Sequence, residues 1–181
     1  MLLQQYKIVF CGSMGAGKST AIQTISDIEV VQTEAVNTDV KKHEKSLTTV
    51  GIDYGEIKLE DDTIVGLYGT PGQDRFDFLW SVVCKGAIGL CLLIDHSQKN
   101  NRLRDLATYL ERFKNYNNNI VIGITHTDQH DDQILKIYRD WMQLNDYSYP
   151  IFAIDSRKKT DVLLMIEILI ATVEFSSHQN T

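Results

Sequence analysis

Tyr6-Lys-Ile-Val-Phe-Cys-Gly12-Ser-Met-Gly-Ala-Gly-Lys18-Ser19-Thr20 is the stretch on which the fold turns. Its first six residues read as a short apolar strand. Gly12 to Ser19 then match the pattern G-x-x-x-x-G-K-[ST] at every fixed position. Four such positions coincide by chance in roughly 1% of chains of this length at average composition. Here the match follows a strand and opens a helix, the context its chemistry needs. Glycines at 12, 15 and 17 let the backbone turn tightly and aim several N–H groups at one phosphate chain. The helix N-terminus adds partial positive charge. Lys18 is placed to reach the β- and γ-phosphates, and the Ser19 hydroxyl to ligate Mg²⁺. Met14, Gly15, Ala16, Gly17, Lys18, Ser19 and Thr20 are therefore expected to line a nucleotide.

Short apolar runs alternate with amphipathic stretches along the rest of the chain, as in βα units on a mostly parallel sheet. Strands are expected at 6–11, 52–60, 63–69, 87–95, 119–125 and 150–155. Helices are expected at 18–28, 74–85, 102–115, 131–145 and 160–175. Asp61-Asp62 joins two strands as an antiparallel hairpin. Residues 29–50 give no clear pattern. The expected fold is α/β, with six strands and five helices in a single domain over 1–181. Its 43% hydrophobic content is enough for one core.

Charge and cysteine usage narrow the function classes. Eighteen Lys and Arg against 24 Asp and Glu leave a formal net charge of -6, which argues against nucleic acid or an anionic membrane as partner. Cys11, Cys84 and Cys91 lie in or beside apolar runs and lack metal-ligand spacing, as in core packing in a reducing compartment. The longest apolar run, 87–94, is too short to span a bilayer. No signal-peptide pattern, myristoylation glycine or prenylation cysteine is visible. A cytoplasmic location with no direct membrane anchor is the expectation.

Two further stretches narrow the kind of phosphate-loop protein. Thr49-Val-Gly-Ile-Asp-Tyr54 resembles switch I of Rab-like GTPases, and Gly69-Thr-Pro-Gly-Gln-Asp-Arg-Phe76 resembles their switch II, D-T-A-G-Q-E-R-F. The chain is identified by these motifs as similar to Ras-superfamily small GTPases. It looks most like bacterial members related to the gliding-motility GTPase MglA and those encoded beside Roadblock-domain proteins. The resemblance implies a P-loop NTPase with a Ras-like G domain that switches between GTP and GDP. It makes Thr49, with Thr48 as the less favoured substitute, a second Mg²⁺ ligand and γ-phosphate sensor. Gly72 would offer its N–H to the γ-phosphate, and Gln73 would orient the attacking water. A β-strand threonine and an ordinary turn are the plainer readings of these residues.

The departures are as informative. Family switch II opens with an Asp that holds Mg²⁺ through water, but this chain has Gly69, so weaker Mg²⁺ binding is expected. Pro71 fixes φ just before Gly72. Met14 places a side chain where it can crowd the γ-phosphate. The stretch from Lys18 to Thr49 is longer than in Ras and contains no arginine. Arg75 sits where the family carries a structural one. Intrinsic hydrolysis is therefore expected to be slow and accelerated by a partner.

For the base, the family's N-K-x-D corresponds to Thr125-His-Thr-Asp128. Asp128 can accept two hydrogen bonds from the N1–H and 2-amino group of guanine, contributing about 1.5–3 kcal/mol. Adenine lacks that donor pair and would strand the carboxylate. Thr125 replaces the bracing Asn only in part, and His126 can lie over the ring where the Lys stem packs. A loop histidine and a surface carboxylate are the alternatives. Asp155-Ser-Arg157 stands at the family's S-A-K: Ser156 would present its N–H to guanine O6 and Arg157 would cover the base.

The resemblance implies a Roadblock-type regulator and a downstream effector as partners, meeting the apolar cluster Phe76, Phe78, Leu79 and Trp80. A non-hydrolysing pseudo-GTPase that serves as a nucleotide-bound scaffold is the rival reading. A small-molecule kinase would need an arginine-rich lid, but Arg102, Arg104, Arg112 and Arg139 are scattered over predicted helices.

Overall fold

The computed structural model describes residues 6–36, 49–72, 76, 78–127 and 132–178. Along these, the elements are β1 (Tyr6–Gly12), α1 (Lys18–Ile25), β2 (Val31–Val36), β3 (Thr49–Lys58), β4 (Ile64–Gly69), α2 (Phe78–Cys84), β5 (Gly89–Asp95), α3 (Arg102–Phe113), β6 (Ile120–Thr125), α4 (Asp132–Leu144), β7 (Ile151–Ala153) and α5 (Lys159–His178). The strands form one sheet in the order β2-β3-β4-β1-β5-β6-β7. β1 pairs in parallel with β4 and β5, and β5-β6-β7 continue in parallel, whereas β2-β3 and β3-β4 are antiparallel.

The α/β class, the mostly parallel sheet and the five helices agree with the sequence reading. The strand count does not. Among the described residues seven strands are present instead of six, the extra one being β2, from the stretch that gave no pattern. Among the described residues β2 stands at the end of the sheet and pairs with β3 alone. Val31 is half exposed and Gln32 is exposed, so the first two residues of β2 do not alternate between buried and exposed. The pairing runs from Val31↔Tyr54 to Val36↔Thr49, which is why β3 begins three residues earlier than expected.

α1 also stops three residues early. Ser26 turns extended, and Asp27 then joins β3: its N–H donates to the Glu56 carbonyl at 2.7 Å and its carboxylate accepts the Lys58 N–H at 2.8 Å.

The sheet is covered on both faces, and residue parity assigns side chains to each. Ile8, Phe10, Cys91, Leu93 and Val121 pack under α1 and α5, while Val9, Cys11, Leu90, Leu92, Ile122 and Ile124 pack under α2, α3 and α4. Gly89 and Gly123 admit α5 closely. A Cβ at Gly89 would lie 2.5 Å from Leu169 Cδ1, and one at Gly123 would lie 2.8 Å from Met165 Sδ. Among the described residues no helix is long and apolar enough to cross a membrane. The loops after β1, β4, β6 and β7 meet at the carboxyl ends of the parallel strands, where such sheets place their sites.

Candidate functional site

Local backbone geometry builds the loop between β1 and α1. Gly12 has φ +133°, and a Cβ there would sit 2.1 Å from the Leu93 carbonyl oxygen, so only glycine fits. Gly17 precedes α1 at φ +95°. Lys18 is the first residue of the helix, and its side chain folds back over the loop. Nζ donates to the Gly12 carbonyl at 2.9 Å and the Ser13 carbonyl at 2.6 Å. The ammonium is nearly buried, and that burial pushes its pKa down to about 8. A buried cation bonded to neutral carbonyls is electrostatically suited to an anion.

The segment after β4 closes on this loop. Met14 N–H donates to the Gly72 carbonyl at 3.1 Å. A Cβ on Gly72 would fall 2.6 Å from Met14 N and 2.8 Å from Lys18 Nζ, so glycine permits the approach. The Met14 side chain itself is 70% exposed. Thr49 opens β3 opposite Val36. Gln73 and Asp128, together with Thr48 and Arg75, lie outside the described residues.

A cavity of about 470 Å³ opens beside the loop, lined by Gly17, Thr20, Ser97, Thr125, His126, Thr127, Ile154, Asp155, Ser156 and Arg157. Its size suits a small ligand. Thr125 is buried, and its hydroxyl donates to the Ala16 carbonyl at 3.0 Å, tying the end of β6 to the phosphate-type loop. With that proton committed, Thr125 Oγ1 accepts from His126 Nδ1 at 3.0 Å, and Asp95 Oδ1 lies 3.4 Å from the same nitrogen. The His126 ring is thus held at one edge, its backbone in the left-handed region at φ +55°.

Ser156 Oγ is buried with no hydrogen-bond partner among the described residues, and a Cβ on Gly17 would come 2.5 Å from it. Gly17 thereby lets the loop after β7 touch the loop after β1. The Ser156 carbonyl is held by the Thr24 hydroxyl of α1 at 2.8 Å. Arg157 forms a two-pronged pair with Asp155, both bonds 2.9 Å, which holds the Asp155 carboxyl well below the usual carboxylate range. In this arrangement its guanidinium engages Asp155 at the cavity rim.

Comparison with known proteins settles the family. A sequence model described as "Conserved hypothetical ATP binding protein" matches residues 27–177. The chain belongs to that family. This ATP-binding-protein family match starts just beyond the Gly12–Ser19 loop and includes the segments carrying Gly72, Thr125 and Ser156.

Individual relatives extend the picture. An uncharacterized protein of Methanocaldococcus jannaschii is 31% identical over 98 residues, covering 54% of this chain and 56% of its own length. Ras-related protein Rab-27A of Sus scrofa is 25% identical, covering 91% of this chain and 76% of its own length. ADP-ribosylation factor-like protein 14 of Mus musculus is 24% identical over 102 residues, 46% of its length. The chain thus spans about half of the first and third of these relatives. The Ras-like α/β architecture fits these distant relatives, and the family points to nucleotide binding.

In this member of the ATP-binding family, two polar residues escaped the sequence reading. Asp95, at the end of β5, is buried and accepts the N–H and hydroxyl of Ser97 at 2.9 and 2.7 Å, shaping the loop that borders the cavity. Asp53, in β3, is buried and accepts the Ser19 hydroxyl at Oδ2. A signal for Asp53 existed: Asp53, Gly55 and Ile57 share the buried phase of β3, so a carboxylate there sits on a core face.

Proposed function

We propose that the chain is a guanine-nucleotide switch of the bacterial, MglA-related kind: one G domain over 1–181 that binds GTP or GDP with Mg²⁺ and hydrolyses GTP slowly. The observation that carries this is the buried Lys18 ammonium under a glycine-formed loop, next to a cavity bordered by the loops after β6 and β7. A polyphosphate would add negative charge to that of the Asp53 carboxylate, which already acts on Lys18. The residues fit the nucleotide in a second respect. Ser156 carries a buried hydroxyl with no partner among the described residues, and its loop reaches the cavity.

In this reading Gly15, Ala16, Gly17, Lys18, Ser19 and Thr20 take the phosphates, and Thr125, His126, Asp128, Ser156 and Arg157 take the base. Arg157 first has to leave Asp155. Ser19 and Thr49 hold Mg²⁺, which neutralises charge on the transferred phosphoryl group. Gln73 orients the water, and Gly72, whose carbonyl holds the Met14 N–H, offers its own N–H to a γ-phosphate. Asp128 favours guanine, although the family description names ATP. Competition of GTP, GDP and ATP for the purified protein decides between them: guanine nucleotides are expected at micromolar affinity, and tighter ATP binding overturns the assignment. Asp128→Ala is expected to lose about tenfold or more in GDP affinity.

Single-turnover phosphate release tests the slow hydrolysis, and fast turnover by the isolated protein contradicts it. Gly69, where switch II of Ras-superfamily GTPases has an acid, favours the non-hydrolysing scaffold as a second reading. Equal, negligible rates for wild type and Gln73→Ala would support that scaffold.

The face after switch II divides as burial requires. Phe76 and Trp80 are core, with Trp80 Nε1 donating to the Pro71 carbonyl at 3.2 Å, while Phe78 and Val82 are 55% and 66% exposed. Those exposed groups support docking of a Roadblock-type regulator or an effector. Recovery by such a regulator is expected to differ between GTP- and GDP-loaded protein, and equal recovery refutes a switch. The three free, buried thiols support a cytoplasmic location.

A further inference from the structure

We propose that Asp95 is a positioning residue for the purine, fixing the tautomer and placement of the His126 imidazole that packs against the base; this rests on the nucleotide reading above. Asp95 ends β5 directly opposite Thr125 of β6, the residue before His126. The His96 N–H donates to the Thr125 carbonyl at 3.0 Å and ties the two strand ends together. Asp95 is 6% exposed and does not line the cavity, whereas Ser97, Thr125 and His126 do. It can reach a ligand only through these neighbours.

One oxygen gathers them. Asp95 Oδ1 accepts the Ser97 N–H at 2.9 Å and the Ser97 hydroxyl at 2.7 Å, and it lies 3.4 Å from His126 Nδ1. The Thr125 hydroxyl donates to the Ala16 carbonyl, so toward His126 Nδ1, 3.0 Å away, its oxygen acts as an acceptor. Two acceptors therefore face Nδ1, the nearer a hydroxyl oxygen and the farther a carboxylate. Both favour a proton on that nitrogen, which leaves Nε2 as the acceptor of the neutral ring.

The backbone agrees with a ring held in place. His126 has φ +55°, a conformation that residues with a side chain rarely adopt and that persists where the surroundings fix it. Its side chain is still 47% exposed, so the ring is open to a ligand where Thr125 and Asp95 do not cover it. An aromatic ring held along one edge offers a purine a flat surface at little ordering cost.

The experiment measures GDP and pyrophosphate affinities by calorimetry for wild type, Asp95→Asn, His126→Ala and the double variant. Pyrophosphate supplies phosphates without a base. Asn keeps the size of Asp and still accepts from Ser97, so the fold should persist, which a urea melt verifies. Each single variant is expected to weaken GDP binding about tenfold and the double variant no further, with pyrophosphate affinity within about twofold of wild type throughout. Losses that multiply in the double variant, or an undiminished GDP affinity in Asp95→Asn, overturn the role of Asp95. So does an equal loss of pyrophosphate affinity in Asp95→Asn, the mark of a merely structural residue. Nitrogen-15 NMR of the His126 ring is the second readout: the wild-type ring is expected as the Nδ1–H tautomer, moving toward Nε2–H in Asp95→Asn. A wild-type ring in the Nε2–H form overturns the proposal even if Asp95→Asn fails to fold. Wild type that binds neither GDP nor pyrophosphate overturns the nucleotide reading as well.

Discussion

Thr125 links the loop after β1 to the end of β6 through one hydroxyl, which donates to Ala16 and accepts from His126. Thr125→Val keeps the shape and deletes these bonds together with the longer one to the Ile94 carbonyl at 3.3 Å. A destabilisation of about 1–3 kcal/mol is expected in urea melts, with GDP affinity weakened and Thr125→Ser close to wild type. Cys84 gives a pH prediction. Burial raises its thiol from 9.0 to about 12, so the folded chain keeps a proton that the unfolded chain releases. Its contribution is whole below pH 9 and falls as pH rises toward 12. Urea midpoints should drop between pH 8.5 and pH 10.5, roughly, and Cys84→Ala should flatten part of that slope.

Helix α5 owes its seat to missing side chains on two strands. Gly89 makes room for Leu169, whose Cγ and Cδ1 would be 2.9 and 2.5 Å from any added Cβ. Gly89→Ala therefore overpacks the α5–β5 contact, for an expected loss of about 1–3 kcal/mol. Leu169→Ala leaves a void instead, at about 2–5 kcal/mol. The double variant should be more stable than the two losses added together, because the methyl group partly refills the void. Thermal melts of the four proteins measure this coupling, and strict additivity would mean that the two residues do not share the contact.

For the whole molecule, the cavity is assembled from loops far apart in the chain, so a ligand there should hold the fold together. Guanine nucleotide at about 100 times its dissociation constant is expected to add about 2.7 kcal/mol. For a domain of this size that corresponds to a rise in Tm of roughly 5–10 °C. ATP at the same concentration should give a smaller rise, and Mg²⁺ removal by EDTA should diminish the guanine effect.

The sequence by itself determined the order of alternating elements, the glycine-shaped loop that closes on Lys18 and the central strands. Those features depend on local rules: apolar parity, positive φ and helix starts. β2 was not legible because an edge strand is identified by its partner, and its register with β3 is a long-range fact. Asp53 was visible as a residue, but its meeting with Ser19 was not, since 34 positions separate them and only sheet register sets Asp53 opposite Gly69. Which of Phe76, Phe78 and Trp80 face water likewise depended on how α2 sits against α3, where Trp80 stacks on Phe113 at 4.8 Å. Tertiary structure decided these points because a side chain's chemistry depends on the groups that share its volume, and chain spacing does not encode those neighbours.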